Sequence, residues 1–207
     1  MDGVITNTMP DHYHAWKVIL AEEGIHATHY DIYSREGQRG ISSVEEIFNH
    51  YKKTFTPQVG MRILKDKETY FKKIVKERYV PGTRTLLKRL HQMGFKLALV
   101  TGTSKHELHR ILPSHLYDLF DVIVTGNDVK NGKPHPEPYL KAIDKLGIKP
   151  REAVVIENAP FGIRSAKAAG LKCLALETSL PKKYLKGADD VFSSTRELEK
   201  KVSFCLR

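Results

Sequence analysis

The segment KLALVTGTSKHELHRIL, residues 96–112, places an apolar run directly before a polar turn and a helix-forming stretch. Residues 96–101 are predicted to be a strand, because apolar side chains follow one another without polar alternation, as in parallel sheets covered on both faces. Residues 104–112 are predicted to be a helix. A strand followed at once by a helix is the repeating unit of an α/β fold, so this segment predicts that fold class.

The same alternation of strand and helix extends to both sides of this segment. The predicted helices cover residues 83–93, 136–146 and 161–169, with a final helix from Glu197, and the predicted strands cover residues 121–125, 153–156 and 172–176. Gly94, Gly147 and Gly170 stand where three of these helices are expected to end. Together the elements predict a doubly wound, Rossmann-like parallel sheet with helices on both faces.

Residues 9–80 carry helical patterns instead of this alternation. Pro10 suits the first position of a helix. The spacing of Ser42 and Glu45 predicts a capping box that opens a second helix, and residues 61–78 are predicted to be a third helix. We therefore expect two domains: an α/β core of residues 1–8 and 81–207, and an inserted helical cap domain of residues 9–80.

Composition limits the classes of protein that this chain can belong to. Of its 207 residues 41% are apolar, and no apolar run reaches the length of about 18 residues that a membrane span needs. The two cysteines lack metal-ligand spacing, so a reduced, cytoplasmic protein is expected. The net charge of +10 is scattered over predicted helix faces, which favours small anionic substrates over nucleic acid. We expect a monomer.

Four segments carry side chains suited to phosphoryl transfer, and three of them follow predicted strands. Ligands of an open parallel sheet bind at the carboxyl ends of its strands. Asp2 can act as a general acid and base, and the Thr101 hydroxyl with the amides after it can hold phosphoryl oxygens. Lys133 supplies a positive charge, while Glu157 and Asn158 supply the oxygen ligands that Mg²⁺ requires. Each residue alone is more often structural; their joint occurrence predicts the site.

These four segments, in this order, resemble the haloacid dehalogenase superfamily, and specifically its β-phosphoglucomutase-like branch of sugar-phosphate phosphatases and mutases. The resemblance implies that Asp2 protonates the leaving group and that its backbone carbonyl binds Mg²⁺. It also assigns Thr101 and Lys133 to phosphate binding and Glu157 and Asn158 to the metal. Asn158 departs from the pattern, because the family usually has a carboxylate there.

The first motif of the family is Asp-x-Asp-Gly, and Met1 stands at its second position. The resemblance implies that the nucleophilic Asp, which forms an aspartyl-phosphate, lies immediately before Met1. We therefore expect upstream codons for a short apolar strand that ends in Asp, lying in the sheet between the strands of residues 96–101 and 153–156. Without that strand we expect the chain to be inactive. A further hypothesis is therefore a non-catalytic protein that binds phosphorylated ligands.

The resemblance also places substrate-binding residues in the cap domain and in the turn that follows the predicted strand of residues 96–101. They are His12, Arg35, Glu36, Gly37, Arg39, Gly102 and Thr103. Mutases of this branch carry a lysine where this chain has Glu36. The leading hypothesis is therefore a Mg²⁺-dependent phosphatase acting on a small phosphorylated metabolite, a sugar phosphate, and a β-phosphoglucomutase is the alternative.

Overall fold

The computed structural model describes residues 1–205, which contain ten α-helices and five strands. The helices are α1 (Met9–Glu22), α2 (His29–Tyr33), α3 (Gly40–His50), α4 (Pro57–Ile74), α5 (Thr83–Gln92), α6 (Lys105–Ile111), α7 (Ser114–Tyr117), α8 (Glu137–Leu146), α9 (Pro160–Ala168) and α10 (Thr195–Lys201). The strands are β1 (Ala98–Val100), β2 (Val122–Val124), β3 (Val154–Glu157), β4 (Lys172–Leu176) and β5 (Asp190–Phe192).

All paired strands are parallel, and they form two sheets. In the first sheet β1 pairs with β2, and Leu99 lies opposite Ile123. In the second sheet β4 lies between β3 and β5, and Ile156 lies opposite Leu174. Within residues 1–205 no backbone pairing joins β1 to β3, while the side chain of Val4 packs against apolar clusters of both sheets. The N-terminal segment therefore lies between the two sheets.

Strand β4 shows why helices cover both faces of the second sheet. Leu174 and Leu176 belong to an apolar cluster that includes residues of α5 and α10. Cys173 and Ala175, which point to the opposite face, belong to a cluster that includes residues of α8 and α9. A strand whose alternate side chains are all apolar needs cover on each side. The doubly wound α/β architecture predicted from the sequence is confirmed.

Helices α1 to α4 form a separate helical layer. Helix α1 packs against α2 and α4, and α3 packs against α4. Trp16 and Leu20 of α1 are buried there with Ile47 of α3 and Ile63 of α4. The helical spacing of these apolar residues directs one stripe of each helix toward the others.

Two segments that lie side by side connect this layer to the α/β core. Thr6 forms an antiparallel bridge with Tyr79, and the Asn7 N–H donates to the carbonyl of Arg78 at 2.8 Å. The chain thus leaves and re-enters the core at one place. This arrangement supports, as a proposal, a cap domain of residues 9–80 between the two parts of the core.

The structure corrects the predicted bounds of the third cap helix. Helix α4 begins at Pro57 rather than Met61, because the Thr56 hydroxyl accepts a hydrogen bond from the Val59 N–H at 3.3 Å and Pro57 fits the first turn. The helix ends at Ile74, earlier than the predicted residue 78. A capping threonine followed by proline was the signal that identifies this start.

The capping box predicted at Ser42 and Glu45 is wrong. Helix α3 begins at Gly40, so Ser42 lies inside its first turn. A capping box is found instead at the start of α2, where the Asp31 N–H donates to the Thr28 hydroxyl at 3.2 Å and the Thr28 N–H donates to Asp31 at 2.7 Å. Helix α2 is only five residues long, too short for a periodic pattern to reveal it.

Strand β5 and helix α7 were also not predicted. Strand β5 has three residues and begins with an aspartate, so its sequence contains no apolar run, and it is a strand only because it pairs with the edge of β4.

Among the described helices, none combines the length and the apolar character needed to cross a bilayer.

Candidate active site

Asp2 lies at the centre of the candidate site and is almost completely buried. Its carboxylate accepts a hydrogen bond from the Thr8 hydroxyl and another from the Thr103 hydroxyl at 3.4 Å, and His12 Nε2 lies 3.3 Å from Oδ1. Burial by itself raises the pKa of Asp2, but the hydrogen bonds to His12 and Thr8 and the nearby positive charge outweigh it and hold the pKa well below its usual range. Asp2 is therefore ionised.

His12 connects Asp2 to a lysine of the helical layer. Its Nδ1 lies 3.0 Å from Nζ of Lys67, and its ring stacks on Phe71 with centroids 4.1 Å apart. Because an ammonium group can only donate, Nδ1 accepts from Lys67 and Nε2 carries the proton that Asp2 accepts. Burial, followed by the charge of Lys67, lowers the pKa of His12. A neutral His12 thus orients Asp2.

Lys67 is a site residue that the sequence analysis missed. It is buried on α4 in line with Gly60, Ile63 and Phe71, and its Nζ lies 4.7 Å from the centroid of the Phe71 ring. Burial lowers the pKa of this lysine. A lysine in register with the buried stripe of an amphipathic helix is the signal that could have revealed it.

Lys133 and Glu157 form a buried ion pair at the carboxyl ends of β1 and β3. Lys133 Nζ lies 2.6 Å from Glu157 Oε1 and donates to the carbonyl of Val100 at 3.3 Å. The Tyr139 hydroxyl donates to Oε1 at 2.9 Å, and the Asn158 N–H donates to Oε2 at 2.8 Å. Burial alone raises the pKa of Glu157, whereas Lys133, through its charge and hydrogen bond, lowers it below the usual value. Glu157 is therefore ionised, and both of its oxygens accept hydrogen bonds.

The turn after β1 connects the second motif to the first. The Thr101 hydroxyl is buried and accepts from the Thr103 N–H at 3.1 Å. The Thr103 hydroxyl in turn reaches Asp2. A turn that presents hydroxyl and amide donors beside the end of β1, where Lys133 also reaches the Val100 carbonyl, is suited to binding an anion.

Asn158 lies against the backbone of the first motif. Gly3 has φ +73°, and a Cβ added to it would lie 2.8 Å from Asn158 Cγ and 2.6 Å from the hydroxyl of Ser179. The Asn158 side-chain amide donates to that hydroxyl at 2.8 Å. Glycine is therefore required for this close approach.

The proposed metal ligands fit Mg²⁺ in chemical type. Mg²⁺ prefers oxygen donors, and the Asp2 carbonyl, the Glu157 carboxylate and the Asn158 side chain are oxygen donors. Asn158 lies against Gly3, whereas both oxygens of Glu157 already accept hydrogen bonds from groups that include Lys133. No group of three histidine, cysteine or acidic side chains placed to hold a metal occurs in residues 1–205. One of the three donors is an amide and another a backbone carbonyl, so this donor set carries little charge.

A cavity of about 320 Å³ lies between the helical layer and the core turns, within the range of small-molecule sites. All seven residues predicted to bind substrate line it: His12, Arg35, Glu36, Gly37, Arg39, Gly102 and Thr103. Four other predicted site residues are buried and are not part of the cavity wall: Asp2, Lys133, Glu157 and Asn158. Asp2 nevertheless contacts two residues of the wall, His12 and Thr103.

Residues 34–39, which we call the cap loop, press against the core turns. A Cβ added to Gly37 would lie 2.7 Å from Cδ of Lys133, and one added to Gly102 would lie 2.6 Å from the carbonyl oxygen of Gly37. Burial, followed by the charge of Asp2, raises the pKa of Glu36 to about 7. The cap loop therefore places Glu36 within the electrostatic field of the core site.

The two arginines of the cap loop already have partners. Arg35 Nη1 donates to the carbonyl of Asp31 at 2.7 Å, and its Nε donates to Glu46 at 3.2 Å. Arg39 donates to the carbonyl of Lys130 at 2.7 Å. Although both residues line the cavity, one guanidinium is bonded within the helical layer and the other is bonded to the core.

We expect Gly102→Ala to move the cap loop away from the core. The added methyl group would overlap the Gly37 carbonyl, and such overpacking, which costs roughly 1–3 kcal/mol, is relieved most easily by shifting the loop. Affinity for phosphorylated ligands should fall about tenfold, and proteolysis within residues 34–39 should accelerate. The control is Gly187→Ala, whose methyl group would lie 3.2 Å from Ile163, far from the loop. Equal affinity and equal proteolysis in both variants would contradict the expectation.

The model of the haloacid dehalogenase-like hydrolase family matches residues 1–176. The chain belongs to this family. Among the relatives of this haloacid dehalogenase-like protein, a phosphorylated carbohydrates phosphatase of Thermotoga maritima is 33% identical over 182 residues, which cover 83% of this chain and 80% of the relative.

Two solved structures show that the likeness extends over almost the whole chain. A β-phosphoglucomutase of Clostridium difficile has a TM-score of 0.81 at 29% identity, covering 95% of this chain and 89% of that one. CbbY of Rhodobacter sphaeroides in complex with phosphate has a TM-score of 0.77 at 25% identity, covering 96% and 93%. These findings confirm the predicted β-phosphoglucomutase-like branch and a phosphoric monoester hydrolase at the level of the family.

Proposed function

We propose that this protein is a Mg²⁺-dependent phosphatase that hydrolyses a small sugar phosphate through an aspartyl-phosphate. The observation that carries the proposal is the position of Asp2. It is a buried, ionised carboxylate that accepts from Thr103 and is oriented by His12, and both of these residues line a cavity with a volume in the range of small-molecule sites. The phosphatase name of the Thermotoga maritima relative supports the same reaction.

Each buried group has a role in this reaction. Lys133 and the turn of residues 101–103 bind the phosphoryl oxygens, and Glu157 holds Lys133 in place. The negative phosphoryl group, once bound beside Asp2, raises the pKa of Asp2 and allows it to carry a proton to the leaving oxygen. Mg²⁺ bound by the Asp2 carbonyl, Glu157 and Asn158 would neutralise phosphoryl charge.

The nucleophile is the residue before Met1 in this proposal. The amino group of Met1 is buried, which lowers its pKa, and the charges that act on it include Asp2, Lys133 and Glu157. A side chain attached at that place would therefore lie among the groups that bind phosphate. The test compares a protein that carries an apolar strand ending in Asp before Met1 with the same protein ending in Asn. Only the first should form an acid-stable, hydroxylamine-sensitive phosphoenzyme.

A β-phosphoglucomutase is the second candidate, favoured by the likeness to the solved Clostridium difficile mutase. The position of Glu36 opposes it. A mutase must hold a bisphosphate, and a carboxyl group within the cap loop adds no positive charge to hold the second phosphate.

The two candidates differ in a direct measurement on a panel of hexose and pentose phosphates. With Mg²⁺ present, the protein that carries the Asp should release inorganic phosphate from several of them, and chelation should abolish release. Interconversion of glucose 1-phosphate and glucose 6-phosphate without net release of phosphate would favour the mutase. Binding of the sugar phosphates without either reaction would favour a non-catalytic protein.

We expect Asn158→Asp to lower the Mg²⁺ concentration that gives half-maximal activity. The change adds one negative charge beside the ion, where the charge of the ion dominates the local electrostatics. Ser179→Ala, which removes only the partner of the Asn158 amide, is the matched control. If the Mg²⁺ titration curve is the same for Asn158→Asp and the wild type, Asn158 does not contact the metal.

A further inference from the structure

Glu107 has a buried carboxylate oxygen with no donor. It lies in the first turn of α6, where its N–H donates to the Ser104 hydroxyl at 3.3 Å and its Oε2 lies 3.5 Å from the same hydroxyl. Its other oxygen, Oε1, is inaccessible to solvent and receives no hydrogen bond from any group in residues 1–205. Leaving such an oxygen unpaired is unfavourable, so a donor from outside the chain would be stabilised there.

Glu107 lines the cavity in which the leaving group of the substrate would lie. Lys67 and His12 line the same cavity, and the charge of Glu107 acts on both of them. Neither provides the missing hydrogen bond, since Oε1 has no partner within residues 1–205; Lys67 Nζ contacts His12 Nδ1 at 3.0 Å and His12 Nε2 faces Asp2. Glu107 thus belongs to the cavity wall and has one oxygen that no group within residues 1–205 bonds, so a ligand donor that reaches it would supply the missing hydrogen bond.

We propose that Glu107 is a specificity-determining residue whose Oε1 accepts a hydrogen bond from a hydroxyl or ammonium group on the leaving group of the substrate. The inference rests on the proposed phosphatase function and names its substrate class: phosphate monoesters of polyols or amino sugars. Glu107 and Glu36 together also place two carboxyl groups where a second phosphate would lie, so bisphosphates bind poorly.

Equilibrium binding tests this inference without requiring turnover. The 207-residue chain, in the presence of Mg²⁺, is titrated calorimetrically with inorganic phosphate, glucose 6-phosphate, glucosamine 6-phosphate and fructose 1,6-bisphosphate. The wild type should bind glucose 6-phosphate more tightly than inorganic phosphate. Glu107→Ala should weaken binding of glucose 6-phosphate about 10- to 100-fold, as expected for loss of one hydrogen bond to a charged group, and leave inorganic phosphate within about twofold.

Glu107→Gln keeps the size and one acceptor oxygen of the side chain and provides a folded variant if the alanine does not fold. It should weaken glucosamine 6-phosphate more than glucose 6-phosphate, because only the ammonium loses an ion pair, and it should strengthen binding of the bisphosphate. Glu45→Gln, an exposed change of the same charge on α3, is the control. An ammonium-specific loss identifies an amino sugar as the preferred ligand, and an equal loss identifies a polyol.

Two results would overturn the inference. One is a wild type that binds glucose 6-phosphate no better than inorganic phosphate, and the other is a Glu107 variant that weakens both ligands equally or neither. The proposed function is judged separately, by release of p-nitrophenol from p-nitrophenyl phosphate in the protein that carries the Asp before Met1. That substrate has no hydroxyl for Glu107, so its hydrolysis does not depend on this inference.

Discussion

Asp2→Asn should lower kcat/KM for a sugar phosphate by about 10²–10⁴-fold, the range for loss of a general acid–base group. The sugar oxygen is a poor leaving group and needs the proton that Asp2 supplies. p-Nitrophenolate needs no proton, so the variant should release one equivalent of p-nitrophenol in a burst. Turnover should then be slow, because in the proposed mechanism Asp2 also acts as the general base toward the water that hydrolyses the phosphoenzyme. Rapid-quench kinetics on the protein that carries the Asp before Met1 measures both phases.

Asp11→Asn is the matched control for this variant. Asp11 lies on α1 near Asp2 in sequence, but its carboxylate pairs with Arg78 at 2.5 Å rather than facing the cavity. Its loss should leave both kinetic phases within a few-fold of the wild type. An Asp2→Asn protein that is folded but loses the burst and the sugar-phosphate reaction equally would show that Asp2 does not act on the leaving group.

Lys133→Met should destabilise the protein by about 3–5 kcal/mol, the usual cost of removing one partner of a buried ion pair. The side chains of Lys133 and Glu157 are 4% and 7% exposed, so without the lysine the carboxylate of Glu157 stays buried with only the hydroxyl of Tyr139 and backbone amides as donors. Urea unfolding measures the loss. The variant should also lose affinity for phosphate, because Lys133 binds the phosphoryl oxygens in the proposed mechanism.

The double variant Lys133→Met/Glu157→Gln separates these two effects. It removes both charges, so most of the lost stability should return while phosphate affinity stays low. Lys201→Met, which breaks an exposed pair with Glu197 at 2.7 Å, should leave stability almost unchanged. A double variant that is no more stable than Lys133→Met would show that the Glu157 charge is not the source of the loss.

The sequence alone determined the α/β class, because a parallel strand that is buried on both faces consists of consecutive apolar residues. The apolar runs around Leu99 and Leu174 are strands β1 and β4, and helices α5, α8 and α9 end within two residues of the predicted glycines. The sequence also brought Thr101, Lys133 and Glu157 to one region, since connections between parallel strands place their carboxyl ends at the same edge of a sheet. For the same reason the family could be recognised from four short segments.

Only the tertiary structure decided which groups are free to act. Lys67 reads as one of many lysines until α4 packs against α1 and brings it to His12. In the sequence Arg39 is one of many cations, and only the structure shows that its guanidinium donates to a core carbonyl. Likewise, the sequence places Glu107 in the first turn of a helix, and only the structure shows that one of its oxygens is buried without a donor. Hydrogen-bond partners and burial depend on residues far apart in the chain, and local sequence patterns carry no record of them.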